Sequence, residues 1–228
     1  MKNAVVDKIY HSLKEKYGGK EYSNFHAFWR DLYSRKVLSN KMDAFEEFVF
    51  NELTKTEDKV NNVQNLFLIY NGIYRDAELK NNEFKKGNIS FNPKENFPAS
   101  RLLAASIIYS FLSEKLSSVL NDKDLIKLYL ASNKEFYFEN PLSLGKKLDF
   151  YKLASKGSEI FGVVEVGIRN SLLHDSYSYS EDFSKIKFGK TYYTLQQLND
   201  RIERVLKTYY ALLFTRLLIS LELYYVKS

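Results

Sequence analysis

The stretch from Leu195 to Val226, LQQLNDRIERVLKTYYALLFTRLLISLELYYV, constrains the fold more than any other. Leu198, Ile202, Val205, Leu206, Tyr209, Leu213 and Leu217 recur at helical spacing and mark one long apolar face. Such a face has to be covered by other elements, so this helix requires partners over its whole length. The same period runs through the first third of the chain. Val5, Ile9 and Leu13 form a stripe in the first helical segment. Phe25, Phe28, Trp29 and Leu32 form one in the second. Phe45, Phe48, Val49 and Leu53, then Val60, Val63, Phe67 and Tyr70, extend the pattern.

Between these helices the sequence places breaks. Glu78 to Asn96, with KKGN and NPKEN, reads as a loop or flap. Pro98 suits the first turn of a new helix, with Asn96 as its cap. That helix, ASRLLAASIIYSFLSEKLSSVL, is the most apolar of the chain. DKDLIKLYLAS predicts a shorter one, and Pro141 opens a further helical region with Gly145 and Gly157 as breaks. SEIFGVVEVGIRNSLL then continues Ile160, Val164, Ile168 and Leu172 as one buried stripe. In SKIKFGKTYYTL, Ile186, Phe188 and Tyr192 alternate around Gly189-Lys190, which predicts a β-hairpin, and Thr194 caps the last helix. The expected fold is all-α: one helical domain over 1–228, a bundle with a small β-hairpin before the last long helix. Within it, 1–97 reads as an N-terminal extension and 98–228 as the core.

Composition narrows the class. Of 228 residues, 45% are hydrophobic and 27% charged, as in ordinary globular proteins. There is no cysteine, so no disulfide framework, thiolate metal site or cysteine nucleophile exists. The N-terminus is charged, without a signal-peptide core, and no uncharged apolar run long enough to span a bilayer is present. A cytoplasmic protein with no membrane partner is the expectation. The net charge of +6 and pI near 9.1 permit an anionic partner such as RNA, though basic surfaces are common.

The sequence GIRNSLLHDSYSYSED, residues 167–182, holds the candidate site. His174, one of only three histidines, falls where a helix runs out, just past Arg169 and Asn170. Glu165 and Arg169 are four residues apart and share a polar face, which also suits a simple ion pair. On an ideal helix His174 would lie about 140° around the axis from Arg169. A helix ending near Leu173 would let the chain turn and bring the imidazole toward the guanidinium. RNA cleavage suits these groups. The 2′-OH is an internal nucleophile, an imidazole transfers protons near neutrality, and a guanidinium forks onto phosphate oxygens. Asn170 can orient either. The spacing by itself is weak, because a histidine at a helix end also has structural uses.

IRNSLLH resembles the R-x(4–6)-H signature of HEPN domains, in which a polar residue, often Asn, follows the Arg. The order of elements is similar too: an apolar helix, the motif at its end, a short irregular or hairpin segment, then a long final helix. The resemblance covers residues 98–226, most firmly 158–226. It implies a dimerising helical bundle and a metal-independent endoribonuclease of toxin–antitoxin or antiviral systems. It implies Arg169 and His174 as catalytic, with Asn170, and further Glu165, Asp175 and Tyr177, in support. RNA is then the substrate, a second copy the partner, and a cognate antitoxin or activating defence protein a further partner. One toxin subgroup carries Tyr two residues after the His; here that position is Ser176, and Tyr177 follows it. Tyr177 and Tyr179 either stack on a base or pack.

The rest of the sequence adds no competing chemistry. His26, in the aromatic stripe NFHAFW, reads as a packed residue and His11 as a solvated one. No metal-ligand spacing, phosphate loop or nucleophile elbow is present, and no cofactor is expected. The rival readings are a HEPN-like module that binds a nucleotide, RNA or a partner without cleaving it, and a helical interaction protein.

Overall fold

The computed structural model describes residues 4–38, 43–87, 97–121, 143–162 and 164–227. It is mostly helical with one small antiparallel sheet before the last helix. In order, the elements are α1 (Ala4–Tyr17), α2 (Gly19–Leu38), α3 (Asp43–Lys85), α4 (Phe97–Val119), α5 (Leu144–Ser155), α6 (Ser158–Phe161), α7 (Val166–Leu173), β1 (Tyr177–Tyr179), β2 (Lys185–Phe188), β3 (Thr191–Thr194) and α8 (Leu195–Lys227). The predicted short helix at DKDLIKLYLAS and the Asn96 cap lie outside the described residues, as does Pro141.

Several expectations are corrected. The expected loop from Glu78 to Asn96 begins later, because α3 runs on to Lys85; residues 86–87 form a turn, and the rest of that stretch lies outside the described residues. Ala77 is buried in α3, and the Asp76–Lys80 and Glu83–Lys86 ion pairs hold the exposed side. Gly145 sits inside α5 instead of breaking it, because Ser143 supplies the N-cap and accepts from the Lys146 N–H. Gly157 does break the chain, following Lys156 in a left-handed C-cap. In α1 Leu13 is buried as expected and Ile9 half-buried, but Val5 is exposed and Val6 and Tyr17 are buried instead. The expected hairpin is a three-stranded sheet, order β1-β2-β3, because Tyr177–Tyr179 pairs antiparallel with β2. Gly189 takes φ 57° at the β2–β3 turn, a conformation glycine adopts without strain. By length and composition α4 is apolar enough over Ala99–Val119 to cross a membrane, although Arg101, Glu114 and Lys115 interrupt it, and 56% of it is buried inside the protein.

The start of α8 follows from local sequence. Thr194 Oγ1 accepts from the Gln197 N–H at 3.3 Å, and Gln197 Oε1 accepts from the Thr194 N–H at 2.9 Å. This reciprocal capping box satisfies two donors that a helix start would otherwise leave open.

The chain divides into two compact units. The first draws on Met1–Lys59, Lys115–Val163 and Lys207–Ser228. Its core is aromatic. Phe25, Trp29 and Tyr33 of α2 are buried, Trp29 stacks on Tyr151 of α5 at 5.3 Å, and Phe25 meets Phe161 of α6 edge-on at 5.5 Å. Tyr22 and Thr215 share a hydroxyl hydrogen bond of 2.8 Å. His26 is packed as expected, with Nε2 2.9 Å from Glu222 Oε1, and His11 is exposed. The Arg216 guanidinium is buried against the Trp29 and Tyr33 rings and lies 3.4 Å from Glu52.

The second unit comprises Val60–Glu114 and Val164–Leu206. It holds α7, the sheet, the beginning of α8 and the adjoining parts of α3 and α4. Ile168 faces inward from α7, Ile186 and Phe188 from β2, and Tyr193 from β3. All of the candidate site residues lie in this unit.

Candidate functional site

The predicted single helix through Ile160, Val164, Ile168 and Leu172 is two helices, because the chain leaves helical geometry after Phe161 and re-enters it at Val166. Glu165 is the N-cap of α7, with φ −94° and ψ 99°, and its side chain does not cap the helix. Instead the Tyr109 hydroxyl closes the break from both sides. It accepts from the Glu165 N–H at 2.8 Å and donates to the Glu165 carbonyl at 3.0 Å. Burial pushes the Tyr109 phenol well above the usual tyrosine range, so it stays protonated and able to donate. A half-buried pair of backbone polar groups is thereby satisfied.

The Glu165 carboxylate does not meet Arg169, the partner that the four-residue spacing suggests. Its Oε1 lies 2.8 Å from Arg201 Nε, and its Oε2 accepts from the Tyr193 hydroxyl at 2.7 Å. Arg201 in turn lies over the Tyr193 ring at 4.8 Å. Tyr193 is raised above its ordinary range, first by burial and then by donating to Glu165. This network ties α7 to β3 and α8, and it shares no residue with the bonds that Arg169 makes.

Arg169 turns to α4 instead. Its Nε and Nη2 both meet Glu114 Oε1, and its Nη1 donates to Asn170 Oδ1 at 3.1 Å. The guanidinium has five N–H groups in a planar fork. Glu114 occupies its Nε–Nη2 edge and Asn170 one Nη1 proton. One proton each on Nη1 and Nη2 remains for a further acceptor. Glu114 lies fifty-five positions from Arg169 in sequence and carries no local signal. The one trace it leaves is its spacing from Ile107 and Phe111, which puts it on the exposed side of α4.

His174 is the C-cap of α7, and its ring is exposed. The helix ends at Leu173 as predicted, but the turn comes later than predicted. The His174 N–H still donates to Asn170 O at 3.1 Å, along the helical path. Reversal follows at Asp175, which is left-handed at φ 48°. The Ser176 N–H reaches Ser171 O at 2.8 Å and the Asp175 N–H reaches Leu172 O at 3.4 Å, the two bonds of a Schellman ending. Asp stands where glycine is usual and tolerates the left-handed conformation better than most residues. His174 thus precedes the reversal, at a position that on an ideal helix lies about 140° around the axis from Arg169. Among the described residues no hydrogen bond or ion pair joins the two.

The remaining predicted residues divide clearly. Asn170 is exposed and bonded to Arg169. Asp175 is exposed and shapes the turn. Tyr177 is half-buried in β1, paired with Phe188, its ring 6.4 Å from that of Phe188 and 6.1 Å from that of Tyr179. Among the described residues, no group of three His, Asp or Glu side chains could hold a metal ion. Comparison with protein-family models, curated proteins and solved structures gave no match. The resemblance therefore rests on the motif and on the order of elements around it.

Proposed function

We propose that the protein is a HEPN-type endoribonuclease that cleaves RNA by attack of the 2′-OH, within a toxin–antitoxin or antiviral system in the cytoplasm. The observation that carries the reading is the C-terminal end of α7. There an exposed imidazole and a guanidinium with two N–H groups left open flank an exposed asparagine. In the reaction a base takes the 2′-OH proton, an O2′–P bond forms, the P–O5′ bond breaks and O5′ receives a proton. The products are a 2′,3′-cyclic phosphate and a 5′-hydroxyl. Arg169 meets the developing charge on the equatorial oxygens, His174 moves a proton, and Asn170 and Glu114 hold the guanidinium.

The divergence of Arg169 and His174 about α7 favours a cleft shared by two copies of the chain. Across a two-fold axis the same helix end meets itself, and the histidine of one copy approaches the arginine of the other. The Arg169–Glu114 ion pair favours a second reading, a module that binds RNA or a partner without cleaving it, since a paired arginine serves structure equally well. Incubation of the purified chain with total RNA in excess EDTA separates the two. Cleavage that leaves cyclic phosphate ends, and that is lost in His174→Ala, supports the nuclease. Binding of RNA without cleavage supports the module, and 5′-phosphate ends refute 2′-OH attack.

A further inference from the structure

A cleft of about 370 Å³ lies within the second unit, between α3 and α8. Phe67, Tyr70, Asn71 and Tyr74 present one face of α3 to it at positions i, i+3, i+4 and i+7, and Asn199, Ile202, Glu203 and Leu206 face it from α8. The volume is at the small end of ligand pockets. Its α3 wall is aromatic and its α8 wall partly aliphatic, through Ile202 and Leu206: Phe67 stands edge-on to Tyr70 at 6.5 Å, and Tyr70 lies 6.0 Å from Tyr74. Arg101 fixes Tyr74, stacking on its ring at 4.4 Å and donating to its hydroxyl. The Tyr70 hydroxyl donates to Asn199 Oδ1 at 3.1 Å, which leaves the Asn199 NH₂ group to donate elsewhere. Asn71 and Glu203 are exposed and, among the described residues, make no hydrogen bond or ion pair.

We infer that this cleft binds a guanine base. The apolar lining, Phe67 and Tyr74 with Ile202 and Leu206 opposite, suits the faces of a flat heterocycle. The Glu203 carboxylate accepts only, and guanine presents two adjacent donors, N1–H and N2–H, to such a group. The amides of Asn71 and Asn199 supply donors for O6 and N7. Uracil fits poorly, because its single N–H lies between two carbonyl groups that a carboxylate repels. The site does not depend on the cleavage reaction and goes beyond it. The base can come from a free nucleotide or from an RNA strand.

Calorimetric titration of the full chain with GMP and with UMP tests the inference, alongside 2′-O-methyl pentanucleotides UUGUU and UUUUU, which lack the nucleophile and cannot be cleaved. GMP and UUGUU bind at least tenfold tighter than their uracil counterparts. Glu203→Gln weakens the guanine ligands about tenfold, the loss of charge-assisted hydrogen bonds, and leaves the uracil ligands unchanged. Asn71→Ala weakens guanine binding as well, with the melting temperature of each variant checked against wild type. UUGUU binding well above GMP identifies an RNA strand as the source, and equal affinity identifies the free nucleotide. Equal binding of GMP and UMP, or wild-type guanine binding in both variants, overturns the assignment. Because no arm requires cleavage, an inactive nuclease leaves the result intact.

Discussion

Replacing Arg169 by alanine separates a catalytic arginine from a structural one, and the surroundings of the ion pair set both magnitudes. The Arg169 side chain is 23% exposed and that of Glu114 49% exposed. A pair so open to water contributes roughly 0.2–1 kcal/mol to stability. For a chain of this size, about 1 kcal/mol moves the melting temperature by roughly 2–4 °C. Loss of one preorganised donor to a transition-state oxyanion costs far more, about 2.7–4 kcal/mol, or roughly 10²–10³ in rate. Arg169→Ala is therefore expected to melt within a few degrees of wild type while single-turnover cleavage of a labelled RNA falls by at least two orders of magnitude. Arg169→Lys keeps the charge, loses the planar fork, and recovers little. Glu114→Gln keeps a hydrogen-bond acceptor beside the guanidinium and loses much less activity than Arg169→Ala. Circular dichroism melts and cleavage rates on the same preparations give both readouts. Wild-type cleavage in Arg169→Ala would refute the catalytic role. A fall in melting temperature well beyond that range would make Arg169 a fold element and refute the placement argued here.

Further outcomes follow from the geometry. When wild type is unfolded and refolded with an equal amount of Arg169→Ala/His174→Ala, a shared cleft retains about a quarter of the wild-type activity and independent sites about half, as random pairing of subunits requires. Removing one partner of the buried Glu52–Arg216 pair strands a charge: Arg216→Met is expected to cost about 3–5 kcal/mol in urea unfolding, with Glu52→Gln/Arg216→Met recovering most of it. Burial, and then Tyr210, raises Tyr17 and Tyr209 to about 12. Unfolded tyrosine ionises near 10, so the stability these phenols contribute is complete below about pH 10 and is lost as pH rises to about 12. Absorbance at the phenolate band, followed with the melting temperature, checks that window, and coincident ionisation at the ordinary tyrosine value would contradict the burial argument.

Local sequence determined much of this protein because its signals act within a few residues. Helical periodicity marked α2 and α8, whose buried Phe25, Trp29, Leu198, Ile202 and Val205 lie where the spacing put them. The Thr194–Gln197 pair fixed the start of α8, and Gly189 marked the β2–β3 turn. The R-x(4)-H spacing singled out the end of α7, and the helix does end at Leu173. Tertiary packing decided the rest. The break before α7 is completed by Tyr109, from another helix, whose hydroxyl holds both backbone groups of Glu165. Glu165 pairs with Arg201 and Tyr193 instead of the nearby Arg169, and Arg169 takes Glu114 from α4. The spacing of four residues made Glu165 and Arg169 neighbours, but a salt bridge goes to whichever countercharge the packed elements bring closest. Those partners are distant in the chain, and only the packing of α4, β3 and α8 around α7 places them within reach.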